Sequence, residues 1–127
     1  MLSNSKAYSG FAVDDAHEAR RFYRDTLGLT VTDIDKEMGL LSLELPGDRG
    51  TLIYTRPGHT PADYTILNFP VDDIEQAVDG LVERGVEFER YEGFEQDDRG
   101  IARGAGPLIA WFRDPAGNVL SVIQGDL

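Results

Sequence analysis

The sequence predicts an α+β protein made of two βαβββ modules in one chain. A repeated motif, a repeated order of hydrophobic periods, and a length suited to one core carry that prediction. Phe11-Ala12-Val13-Asp14-Asp15 recurs as Phe69-Pro70-Val71-Asp72-Asp73, each followed by a helix-like stretch with alanine at the same offset, Ala19 and Ala77. Each stretch then ends in a glycine and an extended segment, Leu27-Gly28-Leu29-Thr30-Val31 and Arg84-Gly85-Val86-Glu87-Phe88. With 127 residues in all, neither half can bury its apolar face alone. Residues 1–127 are therefore expected to form a single domain, with module one at about 5–57 and module two at about 63–125.

The elements follow in order. Residues 7–13 alternate as a strand, with Phe11 and Val13 on one face and Gly10 and Ala12 on the other. Asp14 or Asp15 caps a helix over 16–26, whose buried stripe is Ala19, Phe22, Tyr23 and Leu27. Gly28 is placed to end it in the left-handed conformation. Strands are expected at 29–34, 39–45 and 50–56, the last two separated by the turn Pro46-Gly47-Asp48. Module two repeats the plan: a strand at 64–71, a helix at 74–84, and strands at 86–90, 108–113 and 118–124. Asp114-Pro115-Ala116-Gly117-Asn118 forms the closing hairpin turn. Residues 91–107, YEGFEQDDRGIARGAGP, form a long excursion rich in glycine and charge, either a lid or a surface loop. Arg99 and Arg103 there either meet an anionic ligand or pair with neighbouring acids.

Twelve Lys and Arg against 23 Asp and Glu leave a net charge of −11. Such a surface repels phosphate backbones and anionic lipids, so neither nucleic acid nor membrane is an expected partner. With no cysteine, disulfides, thiolate metal sites and a Cys nucleophile are excluded. The opening MLSNSKAYSG lacks the apolar core of a signal peptide, and a cytoplasmic location is expected.

The stretch from Val13-Asp14-Asp15 to Phe22-Tyr23-Arg24-Asp25-Thr26-Leu27-Gly28-Leu29 resembles the opening of vicinal oxygen chelate proteins. This is the superfamily of glyoxalase I, bleomycin-resistance proteins and extradiol dioxygenases. The closing Trp111-Phe112-Arg113-Asp114-Pro115-Ala116-Gly117-Asn118-Val119-Leu120 resembles its last hairpin. The resemblance spans the chain and implies a cupped mixed sheet around a ligand cavity, with helices on the outer face. It also implies one divalent metal held by His, Glu or Gln from the first and last strands of each module. Matching those positions gives Tyr8, Ile66 and Ser121, and a fourth at or beside Tyr54. None is an imidazole or carboxylate, and His17 and His59 fall on an outer helix and in a turn. A metal-ligand-deficient member is therefore expected, with no metal and no cofactor.

If the cup is kept, alternation turns Tyr8, Gly10 and Ala12 inward from the first strand. It does the same for Ile66, Asn68 and Pro70 of the counterpart strand, and for Val119, Ser121 and Ile123 of the last. The candidate ligand-binding residues are Tyr8, Tyr54, Asn68, Trp111 and Ser121, with Trp111 serving as core or as platform. Glu44 is the acid–base candidate if chemistry occurs. The leading expectation is a metal-independent small-molecule binding protein of glyoxalase/bleomycin-resistance type, acting in sequestration, resistance or sensing. It is expected to be a homodimer, because open sheets leave edges that a second subunit covers. The rivals are a lyase, isomerase or dioxygenase-like enzyme, with displaced metal ligands in one version, and an interaction module with a vestigial pocket.

Overall fold

Each copy of the Val-Asp-Asp motif marks the same event, the end of a parallel strand and the capped start of a helix. The Asp15 carboxylate accepts from the backbone N–H groups of His17 and Glu18 at 3.0 and 3.1 Å. Asp73 accepts from the N–H of Gln76 at 3.2 Å. Both satisfy donors that the first helical turn leaves unpaired. The computed structural model describes residues 1–47, 50–104 and 106–125, so Asp48 of the expected Pro46-Gly47-Asp48 turn lies outside the described residues. The chain divides into two compact units, Met1–His59 and Thr60–Leu127.

The first unit holds β1 (Gly10–Val13), α1 (Ala16–Arg21), β2 (Thr30–Asp35), β3 (Leu40–Glu44) and β4 (Thr51–Thr55). Its sheet runs β1-β4-β3-β2, with β1 and β4 parallel and the other pairs antiparallel. The expected helix over 16–26 is α-helical only as far as Arg21. Phe22–Thr26 widens into a π-helical turn, in which the Leu27 N–H reaches the Phe22 carbonyl at 3.0 Å. The widening keeps Tyr23 fully buried beside the ring of Phe11, with centroids 5.8 Å apart, while Phe22 and Leu27 are only half-buried. Gly28 ends the segment at φ +77°, and the Leu29 N–H bonds the Tyr23 carbonyl at 2.9 Å. Val13, Ala19, Leu41, Leu43 and Ile53 complete the buried set between helix and sheet.

The second unit holds β5 (Thr65–Val71), α2 (Ile74–Glu83), β6 (Ile109–Arg113) and β7 (Val119–Gln124), in sheet order β5-β7-β6. β5 and β7 are parallel and α2 packs on β7, matching the β1, β4 and α1 arrangement of the first unit. The turn between β6 and β7 is organised by Asp114, which is 4% exposed. Its carboxylate accepts from the N–H groups of Ala116 and Asn118 and from the Asn118 amide, at 2.8–3.0 Å.

The structure corrects two expectations in this unit. No strand forms over 86–90; the segment makes a single bridge, Phe88 opposite Phe112. The edge of β6 is shared instead, with the Glu89 N–H bonding the Trp111 carbonyl and the Ala102 N–H bonding the Ile109 carbonyl, both at 2.8 Å. The second correction is a bulge in β5. Thr65 pairs with Val119 and Leu67 with Leu120, so Ile66 has no partner and Thr65, not Ile66, takes the place on the Ser121 face. A bulge inverts alternation on one side of itself, which no count along the sequence anticipates.

Candidate functional site

Three of the expected ligand residues form one row across the second sheet. Asn68 of β5 pairs with Ser121 of β7, which pairs with Trp111 of β6. Residues in register project from the same face. The buried Ser121 hydroxyl donates to the Asn68 carbonyl oxygen at 2.5 Å, so its polar atom is satisfied within the protein.

Trp111 is 9% exposed and packs with Ala102 and Val119, with Tyr91 and Ile109 against them. The Tyr91 ring meets it nearly edge-on at 5.4 Å and the Phe94 ring at 5.1 Å, tilted by 57°. With Tyr64, these rings wall a cleft of about 480 Å³ that has Thr65 and Val119 in its lining. Asp63 and Glu92 supply its only charged lining groups among the described residues.

The divided edge of β6 explains why two of these rings are there. Between its anchors at Glu89 and Ala102, the chain leaves the sheet and returns, and the Gln96 side chain closes the excursion. Its amide nitrogen donates to the Glu89 and Gly100 carbonyls at 2.9 and 2.8 Å, and its oxygen accepts from the Tyr91 N–H at 2.8 Å. Gly100 sits at φ +90°, and a Cβ there would lie 3.2 Å from the Cβ of Phe88. Glycine answers both the left-handed backbone and the tight approach. The described part of 91–107 is thus tied down rather than loose, and Arg99 and Arg103 take the paired alternative. Arg103 meets Asp97 at 2.8 Å and Glu75 at 2.9 Å, and Arg99 reaches Asp79 at 3.3 Å.

Burial works against the charge on Asp97. The N–H of Ile101, the Arg103 guanidinium and the N–H of Arg99 outweigh it and hold the carboxyl below the usual carboxylate range. At the cleft, burial pushes the Tyr91 phenol up, partly offset by Arg113 beside it. Arg113 is itself engaged by Glu89 at 2.5 Å and by the Gly117 carbonyl at 2.7 Å.

The remaining candidates lie in the first unit. Tyr8, 67% exposed, lines a depression of about 300 Å³ with Lys6, Ile34, Ser42 and Leu52. Tyr54 pairs with Ala12 and Leu40 and is exposed, and it does not line that depression. Glu44 is exposed and accepts a hydrogen bond from the Ser42 hydroxyl at 3.1 Å.

The positions matching metal ligands do not fit a divalent ion. Tyr8 and Tyr54 present phenol groups in place of imidazole or carboxylate, Ile66 has no donor, and the Ser121 hydroxyl is committed to Asn68. No cluster of three or more His, Asp or Glu side chains suited to a metal occurs among the described residues.

Sequence reasoning did not single out Tyr64, Tyr91 or Phe94. The available signal was two aromatic residues inside a glycine- and charge-rich excursion, where burial against something else is the economical explanation.

Two repeats, each with a parallel strand pair and a capped helix, define a paired-module α+β protein. Residues 7–122 match the sequence profile of the Glyoxalase/Bleomycin resistance protein/Dioxygenase superfamily, and the chain belongs to it. Among solved structures it is similar to TnmS3, an antibiotic binding protein from Streptomyces sp. CB03234. The identity is 24%, over 97% of this chain and 98% of that one, with a TM-score of 0.69. It is similar also to a member of the same superfamily from Sphaerobacter thermophilus DSM 20745, at 25% identity over 94% and 97% with a TM-score of 0.65. A glyoxalase family protein from Enterococcus faecalis matches at 23% identity over 97% and 99%, TM-score 0.68. Comparison with curated proteins returns no match. No helix among the described residues is long and apolar enough to cross a membrane.

Proposed function

We propose that this chain is a metal-independent small-molecule binding protein, acting by sequestration, resistance or sensing rather than by catalysis. The observation that carries the reading is the cleft over Trp111, about 480 Å³ and walled by aromatic rings. Its size suits a metabolite or drug-sized ligand, and its mix of apolar walls with a few polar groups is the usual make-up of such sites. The antibiotic-binding description of TnmS3 is in keeping with this role. Glu44, exposed and bonded to Ser42, has no apolar enclosure of the kind that tunes a carboxylate for proton transfer. We further propose a cytoplasmic homodimer in which the two modules unfold together as one domain.

Native mass spectrometry of protein taken directly from its source tests the reading. A co-purifying small molecule that is lost in the Trp111→Ala variant is expected; repeated absence of any such molecule counts against it. Metal independence has its own check. Added Ni, Zn, Fe or Mn is expected to leave the melting temperature unchanged, whereas selective binding to the native state would raise it. Light scattering at micromolar concentration tests the dimer, and one calorimetric transition rather than two tests the single domain.

A further inference from the structure

The charged groups that line the Trp111 cleft among the described residues are both acidic, and this deepens the reading above, on which it rests. We propose that the ligand is a planar organic cation. Asp63 and Glu92 line the cleft, no Lys or Arg lines it with them, and neither carboxylate has an ion-pair partner among the described residues. The nearby cation is Arg113, beside Tyr91, and its charge is met by Glu89 at 2.5 Å. Arg99 and Arg103, the cations of the excursion, are held by Glu75, Asp79 and Asp97.

An anionic ligand would therefore enter against two uncompensated carboxylates and find no basic group to receive it. A cation gains twice. The faces of aromatic rings are electron-rich and attract positive charge, most strongly at tryptophan. The carboxylates add a field that the chain's net charge of −11 reinforces at longer range. Planarity follows from the walls. Tyr64 and Phe94 are 68% and 55% exposed, so their faces remain open to stacking beside the nearly buried Trp111.

Calorimetric titration with two probes of one shape tests this. N-methylacridinium carries a permanent positive charge, and acridine at mildly alkaline pH is the neutral ring of nearly the same outline. The cation is expected to bind tighter by about tenfold or more, with the preference shrinking as salt rises. In the Asp63→Asn/Glu92→Gln double variant the preference is expected to fall to the smaller remainder that the aromatic faces and the distant charge supply. Circular dichroism on that variant confirms that it is folded. Equal affinities in the native protein, or a preference undiminished in the double variant, would overturn the assignment of a cation held by these carboxylates and leave the cleft as a binding site. Binding of neither probe would overturn the planar-cation inference and count against the cleft as a small-molecule site.

Discussion

In the first unit a continuous strand covers the outer edge of β3, from Thr30 opposite Glu44 to Asp35 opposite Leu40. In the second unit the equivalent edge of β6 is met by two short pieces, at Phe88–Glu89 and at Ala102. Both arrangements satisfy edge backbone groups, which otherwise invite pairing with another chain. They differ in what they do with the residues between. The first unit's strand spends all its residues but Ile34 on the ladder, and that unit carries a depression beside the exposed Tyr8. The divided edge frees the chain between its anchors to carry Tyr91 and Phe94 onto Trp111. Losing a strand is what builds the aromatic wall.

The sharpest contrast comes from truncating one aromatic residue in each unit. Trp111→Ala removes a nearly buried ring from a packed cluster and is expected to cost about 3–5 kcal/mol, read by urea unfolding followed by circular dichroism. It should also abolish binding of N-methylacridinium. Tyr8→Ala, at a site two-thirds exposed, should change stability by less than about 0.5 kcal/mol. Comparable losses from both would erase the distinction between the two faces.

A smaller effect is expected from Gln96→Ala, which deletes the amide that closes the excursion. It should cost about 1–2 kcal/mol. More diagnostic is hydrogen exchange, which should quicken at the Tyr91 and Ala102 amides and remain unchanged along β2. Exchange that quickens equally in both units would mean that the excursion is not an independent clasp.

The smallest effect is with pH. The Asp97 carboxyl is lowered from its ordinary value of 3.8 in the folded protein, so its contribution is present above that value. It is lost as pH falls through the lowered folded value, because protonation then weakens the bonds from Ile101, Arg99 and Arg103. Acid titration of the native protein should show this local loosening at the Ile101 amide. Asp97→Asn should remove the pH dependence there and leave the first unit's acid response alone.

How much was legible in the sequence differs between the same two regions. A cap at Asp14 or Asp15, between which the structure chooses Asp15, Gly28 as helix terminator and the apolar alternation of β3 are local matters. They are settled by neighbours three or four residues away, and periodicity finds them. The row of Asn68, Ser121 and Trp111 was within reach for the same reason, since side-chain parity along each strand put Asn68 and Ser121 on the inward face.

The cleft lay beyond that reach. The bulge at Ile66 depends on how β5 settles against β7, and it exchanges Ile66 for Thr65 on the Ser121 face. The division of the β6 edge depends on Phe88 and Ala102 finding Phe112 and Ile109, partners far along the chain. Patterning and capping are written in single segments because their energies come from adjacent residues. Register and edge pairing are decided only when separate segments compete for the same hydrogen bonds and the same buried area. The amino-acid sequence by itself determined two repeats, their helices and most of their strands. The tertiary structure alone decided that the second repeat gives up a strand and gains an aromatic pocket.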